Sequence, residues 1–517
     1  MFKSLLFTCI LFSFTACHSS KVSLDYLIKA ARVYEGNGKE AYTTDLGIKG
    51  EKIVFLGNAR RAKYKAKELI QAEGYILSPG FIDVHTHSLG DLLNQEKKAN
   101  LNYLMQGVTT VVCGNDGRGP INVGQTLAKM DVQGIGTNAL LLLGHGSIRK
   151  QIMGMSDAEP DAQEMNQMKK ILDQGMREGA FGLSTGLYYT PGNFAKTDEV
   201  IELAKVVAAK GGIYDSHIRD ESSYSIGLLK SIEESIEIAR QAKIPVNISH
   251  IKALGVDVWG KSEEVIQMIE DARAEGLVIS ADQYPYRASG TSITNALVPR
   301  WVFADDFVGN MQNPELLPRI LEEMKDNLRR RGGPEALLFT DVNIPGLYRK
   351  TLAEVAKERD LPVMKAAMDI IMSGGSRVAS FNMNPDDMHN FMAKAWVMTS
   401  SDGSSGHPRK FGSFPKKIRE FVLEKKIISL NEMIRKSTSL PAHFFQIENR
   451  GEIKVGNYAD LILFKAEEVQ DLATYEKPDL LAKGMNYVFV NGKIAIENGD
   501  YTEILAGKAL RKKLKKD

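Results

Sequence analysis

From Pro79 onward the chain alternates short apolar runs with longer amphipathic stretches, and this alternation is what most restricts how it can fold. The runs are Phe81–His85, Thr109–Cys113, Ala139–Gly144, Gly182–Thr185, Gly212–His217, Val246–His250, Val278–Gln283 and Ala395–Ser400. Strands covered by helices on both faces read as continuous apolar runs, whereas strands with one wet face alternate. Amphipathic stretches at Asp161–Glu178, Glu199–Lys210, Ser222–Lys243, Ser262–Glu275 and Leu352–Met372 supply crossover helices. Eight βα units predict an α/β fold of the (β/α)8 (TIM) barrel type.

Two departures from regular repetition set the domain plan. About sixty residues, 287–349, intervene after the seventh run before its helix resumes, which predicts a subdomain inserted over the barrel mouth. Residues 22–78 and 440–505 carry short β-like runs with turn signals, such as Lys52-Ile53-Val54-Phe55-Leu56-Gly57 and Val488-Phe489-Val490-Asn491-Gly492-Lys493. Both chain ends are therefore expected to build one small β-sandwich beside a barrel spanning 79–439.

Charged residues make up 25% of the chain and apolar residues 43%, the balance of a globular protein. Lys and Arg number 66 against 64 Asp and Glu, so no general positive field exists for nucleic acid. The first seventeen residues stand apart: Lys3, an apolar run from Leu5 to Phe14, then Thr15-Ala16-Cys17. The run is too short to span a bilayer and reads as an export signal. Phe14-Thr15-Ala16-Cys17 resembles a bacterial lipobox, which implies a lipid anchor at Cys17 in the cell envelope, facing the periplasm or at the outer membrane; a simple cleaved signal is the alternative. Cleavage would leave Cys113 alone, so no disulfide can form within one mature chain.

The chain has nine histidines. His85 and His87 end the first predicted strand two residues apart, so both imidazoles point to one side. His217 and His250 end the fifth and sixth strands, and the C-terminal strand ends are where this fold gathers its active site. Such imidazoles suit zinc and its divalent neighbours. Asp402 follows the eighth strand; there a carboxylate can take a proton from an activated water and pass it to a leaving nitrogen, although a turn residue before Gly403 reads equally well.

Pro79-Gly80-Phe81-Ile82-Asp83-Val84-His85-Thr86-His87, His217, His250, Asp402 and Gly456-Asn457-Tyr458-Ala459-Asp460-Leu461 together resemble the amidohydrolase superfamily. Gly144-His145-Gly146, Gly182-Leu183-Ser184-Thr185-Gly186-Leu187, His217-Ile218-Arg219-Asp220-Glu221, Ser249-His250-Ile251-Lys252, Asp282-Gln283-Tyr284-Pro285-Tyr286 and His407-Pro408-Arg409 are similar to its D-aminoacylase, or N-acyl-D-amino-acid deacylase, family. The resemblance implies that Asp116, His217 and His250 hold a principal metal ion, with His85, His87 and Asp402 framing a second. It also implies that Lys252, Tyr284, Ser289 and Arg409 bind the substrate carboxylate. Read alone, each cation is as readily a surface charge and Tyr284 a core residue.

One position departs from the family pattern: Gly114-Asn115-Asp116-Gly117 stands where the family carries Gly-Asn-Cys-Gly with a ligating Cys. Asp116 is expected to replace the thiolate, and Cys113 to be a small buried hydrophobe. Hard oxygen in place of soft sulfur loosens the preference for zinc toward manganese, iron or cobalt. The implied reaction is hydrolysis of an N-acyl-D-amino acid, a small-molecule substrate. The alternatives are cyclic-amide or isoaspartyl-dipeptide hydrolysis on the same fold, or a lipid-anchored binding protein with a decayed site. Arg219, Asp220 and Glu221 are expected to serve as supporting hydrogen-bonding groups, His145 as structural, and His407 as a loop orienter.

Overall fold

The computed structural model describes residues 23–62, 64–340 and 344–514, so the expected signal segment and Cys17 lie outside the described residues. Eight parallel strands form one sheet in strictly sequential order: β1 Phe81–Thr86, β2 Val108–Cys113, β3 Asn138–Gly144, β4 Gly182–Gly186, β5 Ile213–His217, β6 Val246–Ile248, β7 Ile279–Gln283 and β8 Val397–Thr399. Thr86 bridges in parallel to Gly403, and the amide of Asp402 donates to the carbonyl of His85 at 2.9 Å, which joins the first strand to the segment after the last. Every residue of β1 to β8 is buried, as expected of strands with a packed barrel interior on one side and helices on the other.

The crossover helices bury one stripe each against the barrel. Ala162–Glu178 opens on a capping box between Asp161 and Glu164, and turns Met168, Leu172 and Met176 inward. The helix predicted from Ser222 starts only at Leu228. Asp220 explains the delay: its carboxylate accepts from the amides of Ser222, Ser225 and Gly227 at 2.6–3.0 Å, and so stabilises a loop where helix periodicity alone would continue.

The insertion is larger than its sequence signal. A three-stranded antiparallel sheet joins Ala288–Ser292, Leu337–Phe339 and Arg377–Phe381, and a separate apolar core runs from Ile293 to Val378. The predicted helix Leu352–Met372 is two helices, Leu352–Glu358 and Val363–Met372, broken at Pro362. Both pack into the insertion's core through Leu352, Val355, Ala366 and Ile370, so the boundary expected at 349 moves to about Phe381. The helix that follows β7 in the barrel is Pro385–Ala393.

The two chain ends share one nine-stranded sheet, joined where Leu461–Phe464 pairs antiparallel with Ile76–Pro79. Its own apolar core includes Ile28, Val33, Ile48, Leu77, Leu463 and Phe489.

Candidate metal centre

Beneath the barrel mouth lies a floor of buried carboxylates and amides. The Asn247 amide donates to Asp215 and to Asp282, both at 2.7 Å, and Asn115 donates to Asp215 at 3.0 Å. Asp83 accepts from the amides of His85 and Ser401 at 3.2 and 3.1 Å, so one carboxylate fixes the seam between β1 and the segment after β8. Burial pushes the carboxyl of Asp83 up to about 7 and that of Asp215 to about 6.

On this floor the six predicted metal-site residues converge. Asp116 is central: its Oδ1 lies 3.3 Å from His85 Nε2, 3.3 Å from His217 Nδ1 and 3.5 Å from His250 Nε2, and its Oδ2 lies 3.5 Å from His87 Nε2. Asp402 Oδ1 is 3.0 Å from His87 Nε2 and 3.9 Å from His85 Nε2. Besides a group of His85 with the floor carboxylates Asp215 and Asp282, two overlapping ligand sets result, one of Asp116, His217 and His250 and one of His85, His87, Asp116 and Asp402. Asp116 is common to both. Cys113, by contrast, faces Ser88 and Thr86 and belongs to neither set; burial pushes its thiol up to about 11.

The backbone at these positions is bent to aim the side chains. Asp116, His250 and Asp402 all have positive φ, at 58°, 37° and 45°. Such conformations cost about 1–3 kcal/mol each and gather at functional sites. Asp116 sits in a turn with Gly114 at φ 95° and Gly117 at φ 69°. A Cβ on Gly114 would come within 2.4 Å of the Leu142 carbonyl, so the turn requires glycine in order to pack against β3.

The donor atoms fit a divalent cation. His85 Nε2, Asp116 Oδ1 and both ring nitrogens of His217 are buried without a hydrogen-bond partner among the described residues, which is costly for polar atoms with nothing to bind. Burial opposes ionisation of Asp116, yet His85, with His217 and His250, holds its carboxyl well below the usual range. Burial likewise opposes ionisation of Asp402, and Arg409, whose Nη1 is 2.8 Å from Oδ2, overcomes it with help from His87. Imidazoles and carboxylates are the ligands of zinc, manganese, iron and cobalt sites.

The clusters open into a cavity of about 400 Å³ between the barrel mouth and the insertion. Of the residues expected to grip a substrate carboxylate, Lys252, Tyr284 and Ser289 line it; Arg409 lies behind Asp402, fully buried, with its guanidinium 4.5 Å from the Tyr284 ring. Lys252 forms an ion pair with Glu221, whose Oε1 is also 3.0 Å from His250 Nδ1. Burial would raise the Glu221 carboxyl, but Lys252, with His217 and His250, keeps it well below its ordinary range. Glu221 thus orients a candidate ligand through its second nitrogen, a partner that fixes ring orientation in metal sites. His407 accepts from the Arg409 amide at 3.1 Å and lies 3.0 Å from the Ala288 carbonyl, and His145 pairs with Glu199 at 2.8 Å, so both hold structure outside the clusters.

Sequence reasoning did not single out Tyr188, Tyr189, Tyr224, Arg118, Arg331 or Arg377, all of which line the cavity. Arg118, two residues past Asp116, and the tyrosine pair after β4 follow strand ends and were findable on that ground. Arg331 and Arg377 belong to the insertion and carry no local signal.

A sequential parallel barrel with two imidazole–carboxylate clusters at the C-terminal ends of its strands defines a metal-dependent enzyme of the (β/α)8 class. The amidohydrolase family profile matches residues 68–282 and 384–496, leaving out the stretch that holds the inserted subdomain. An N-acyl-D-glutamate deacylase of Alcaligenes xylosoxydans xylosoxydans is 30% identical over 91% of this chain and 93% of its own. A D-aminoacylase of the same organism is 29% identical over 95% and 98%. The crystal structure of N-acyl-D-glutamate deacylase from Bordetella bronchiseptica, complexed with zinc and a phosphonate mimic of the tetrahedral intermediate, is similar with a TM-score of 0.81 at 28% identity, covering 95% of this chain and 100% of that one. The chain belongs to the amidohydrolase family.

Proposed function

We propose that this protein hydrolyses the linear amide of N-acyl-D-amino acids, releasing a carboxylate and a free D-amino acid. The observation that carries the reading is the pair of ligand sets sharing Asp116 beside a cation-lined cavity. The D configuration is taken from the deacylase and D-aminoacylase relatives. Asp116, His217 and His250 would hold one divalent ion, and His85, His87 and Asp402 with Asp116 a second. Such an ion, when bound, polarises the amide carbonyl and lowers the pKa of water to about 7. The carboxylate in place of a thiolate widens the choice among zinc, manganese, iron and cobalt.

The chain's own groups supply the rest. Asp402, held ionised by Arg409, is a base that takes a proton from the attacking water and returns it to the departing amine nitrogen. Lys252, Tyr284 and Ser289 grip the α-carboxylate at the cavity wall, with Arg409 acting from behind Asp402. Export, which rests on Lys3 and the apolar run from Leu5 to Phe14, and lipidation at Cys17, which rests on Phe14-Thr15-Ala16-Cys17, complete the proposal; incorporation of labelled palmitate, lost in Cys17→Ser, tests the lipidation.

The deciding experiment offers N-acetyl-D-amino acids, their L forms, hydantoins and β-linked dipeptides to the purified protein with zinc, manganese and cobalt in turn. Acetate and free D-amino acid are expected from the D series. Ring opening of hydantoins or dipeptide cleavage, with the linear D amides untouched, refutes the reading.

A further inference from the structure

The cavity holds more positive charge than the deacylase reading uses. Its carboxylates, Asp116, Glu221 and Asp402, are engaged by histidines, Lys252 and Arg409. Of its cations, Lys252 pairs with Glu221 and Lys410 with Asp91. Arg118, Arg331 and Arg377 line the same space, and among the described residues their polar contacts are neutral: the Tyr189 ring for Arg118, Ala296 O and Tyr188 Oη for Arg331, and Ser405 O for Arg377. The α-carboxylate grip of Lys252, Tyr284 and Ser289 uses none of these three arginines.

Arg331 is the informative one. Arg118 is exposed and Arg377 half-buried, so water can balance their charge, but Arg331 is 2% exposed. Its Nε donates to the Ala296 carbonyl at 3.2 Å and its Nη2 to Tyr188 Oη at 3.4 Å, contacts that satisfy protons without neutralising charge. Among the described residues no carboxylate forms an ion pair with Arg331, Glu221 acting on it only at longer range, and a buried guanidinium so placed carries a desolvation cost that an arriving carboxylate repays. Tyr224, whose ring lies 5.6 Å from the Arg331 guanidinium, lines the cavity and has a buried hydroxyl with no partner among the described residues. A donor hydroxyl beside a fork-shaped cation is the chemistry that receives a carboxylate.

We propose that Arg331, with Tyr224 beside it, is the specificity-determining residue for a second carboxylate on the substrate, so that the amino-acid moiety taken by this protein has an acidic side chain. The inference rests on the deacylase reading for its reaction and on the cavity for its selectivity. Arg331 reaches the site from the inserted subdomain, just past the helix Leu317–Arg330, whereas Lys252 and Tyr284 follow β6 and β7 directly. The insertion then sets which side chain is accepted, and the barrel sets the bond that is cut.

The test compares N-acetyl-D-glutamate with N-acetyl-D-glutamine, which differ only in the charge of the side-chain terminus. The wild-type protein is expected to favour the acid in kcat/KM. In Arg331→Met the ratio of acid to amide should fall about a hundredfold, since truncating one side of a buried charge pair costs that much or more. Arg331→Lys, which keeps the cation and loses the fork, should fall between. An unchanged ratio in both variants, or a wild-type preference for the amide, overturns the proposal. Thermal stabilisation by glutarate, a dicarboxylate with no amide, is read in parallel against butyrate. If no N-acyl-D-amino acid is turned over, the deacylase reading falls by itself, and glutarate decides: stabilisation lost in Arg331→Met supports the subsite, and equal stabilisation of both proteins refutes it.

Discussion

Replacing Asp402 by Asn separates the chemistry of the site from its architecture. The backbone at 402 has φ 45°, a conformation Asn tolerates better than most residues, so the turn survives the change. Arg409 Nη1 lies 2.8 Å from Oδ2, and removing the charge opposite a buried guanidinium should cost about 3–5 kcal/mol of stability. The amide cannot carry a proton between water and the leaving nitrogen. General acid–base catalysis is worth about 10²–10⁴ in rate, and such a loss corresponds to about 3–5 kcal/mol on the barrier. The two losses are of similar size and have different readouts, so they are measured independently: initial rates of acetate release at saturating substrate for the folded fraction, and chemical denaturation of the same preparation. Metal content is measured alongside, because Asp402 also borders His87 at 3.0 Å. A variant that keeps kcat within tenfold of the parent, at equal metal content, refutes the proton-transfer role. A variant that loses metal in proportion to activity would make Asp402 a ligand only.

Asp116→Ala should strip metal from both clusters, whereas His87→Ala should affect only one, since Asp116 alone belongs to the two sets. Metal per chain by elemental analysis checks this, and full occupancy in Asp116→Ala would sink the bridging role. Glu221→Gln removes the carboxylate that pairs Lys252 and meets His250 Nδ1 at 3.0 Å, so metal affinity should drop about 10–100-fold in a chelator competition; unchanged affinity would reduce Glu221 to a partner of Lys252. Away from the site, burial depresses Lys436 to about 8, with the Met392 carbonyl as its acceptor among the described residues. Because the unfolded chain holds that proton up to about 10.4, the folded state is penalised in full below pH 8 and recovers as pH rises from 8 to about 10. Lys436→Met should accordingly be more stable than wild type by up to about 3 kcal/mol at pH 7 and lose that advantage near pH 10, as read by urea unfolding at the two values; a gap independent of pH would assign the effect to packing.

The barrel and its candidate ligands were legible because each rests on a local pattern. Continuous apolar runs mark strands covered on both faces, and His85, His87, His217 and His250 lie at or just past the ends of three of them. Asp116 was legible as a substitution inside Gly114-Asn115-Asp116-Gly117, where glycine at both flanks marks a turn with positive φ. The end of the insertion was misplaced at 349 because Leu352–Met372 has a helical apolar stripe whichever core it serves. Period and composition show that a face is buried, not what it is buried against, and this face packs on Ile293 to Val378 instead of on the barrel.

The same limit explains the cavity wall. Arg409 and Lys252 take their expected place at the substrate carboxylate from motifs, and a motif does not show charge balance: the structure sets Arg409 against Asp402 and Lys252 against Glu221. Arg331 and Arg377 were invisible for the converse reason. They lie in an insertion with no motif, and what makes them notable is the absence of a carboxylate partner among the described residues, a property of three-dimensional neighbours alone. Residues that bind metal must meet one another and are held to strand ends by the fold. Residues that choose a side chain must only meet the substrate, so any loop that reaches the mouth can supply them. Chemistry was therefore readable along the chain, while selectivity had to wait for the fold to bring the insertion over the barrel.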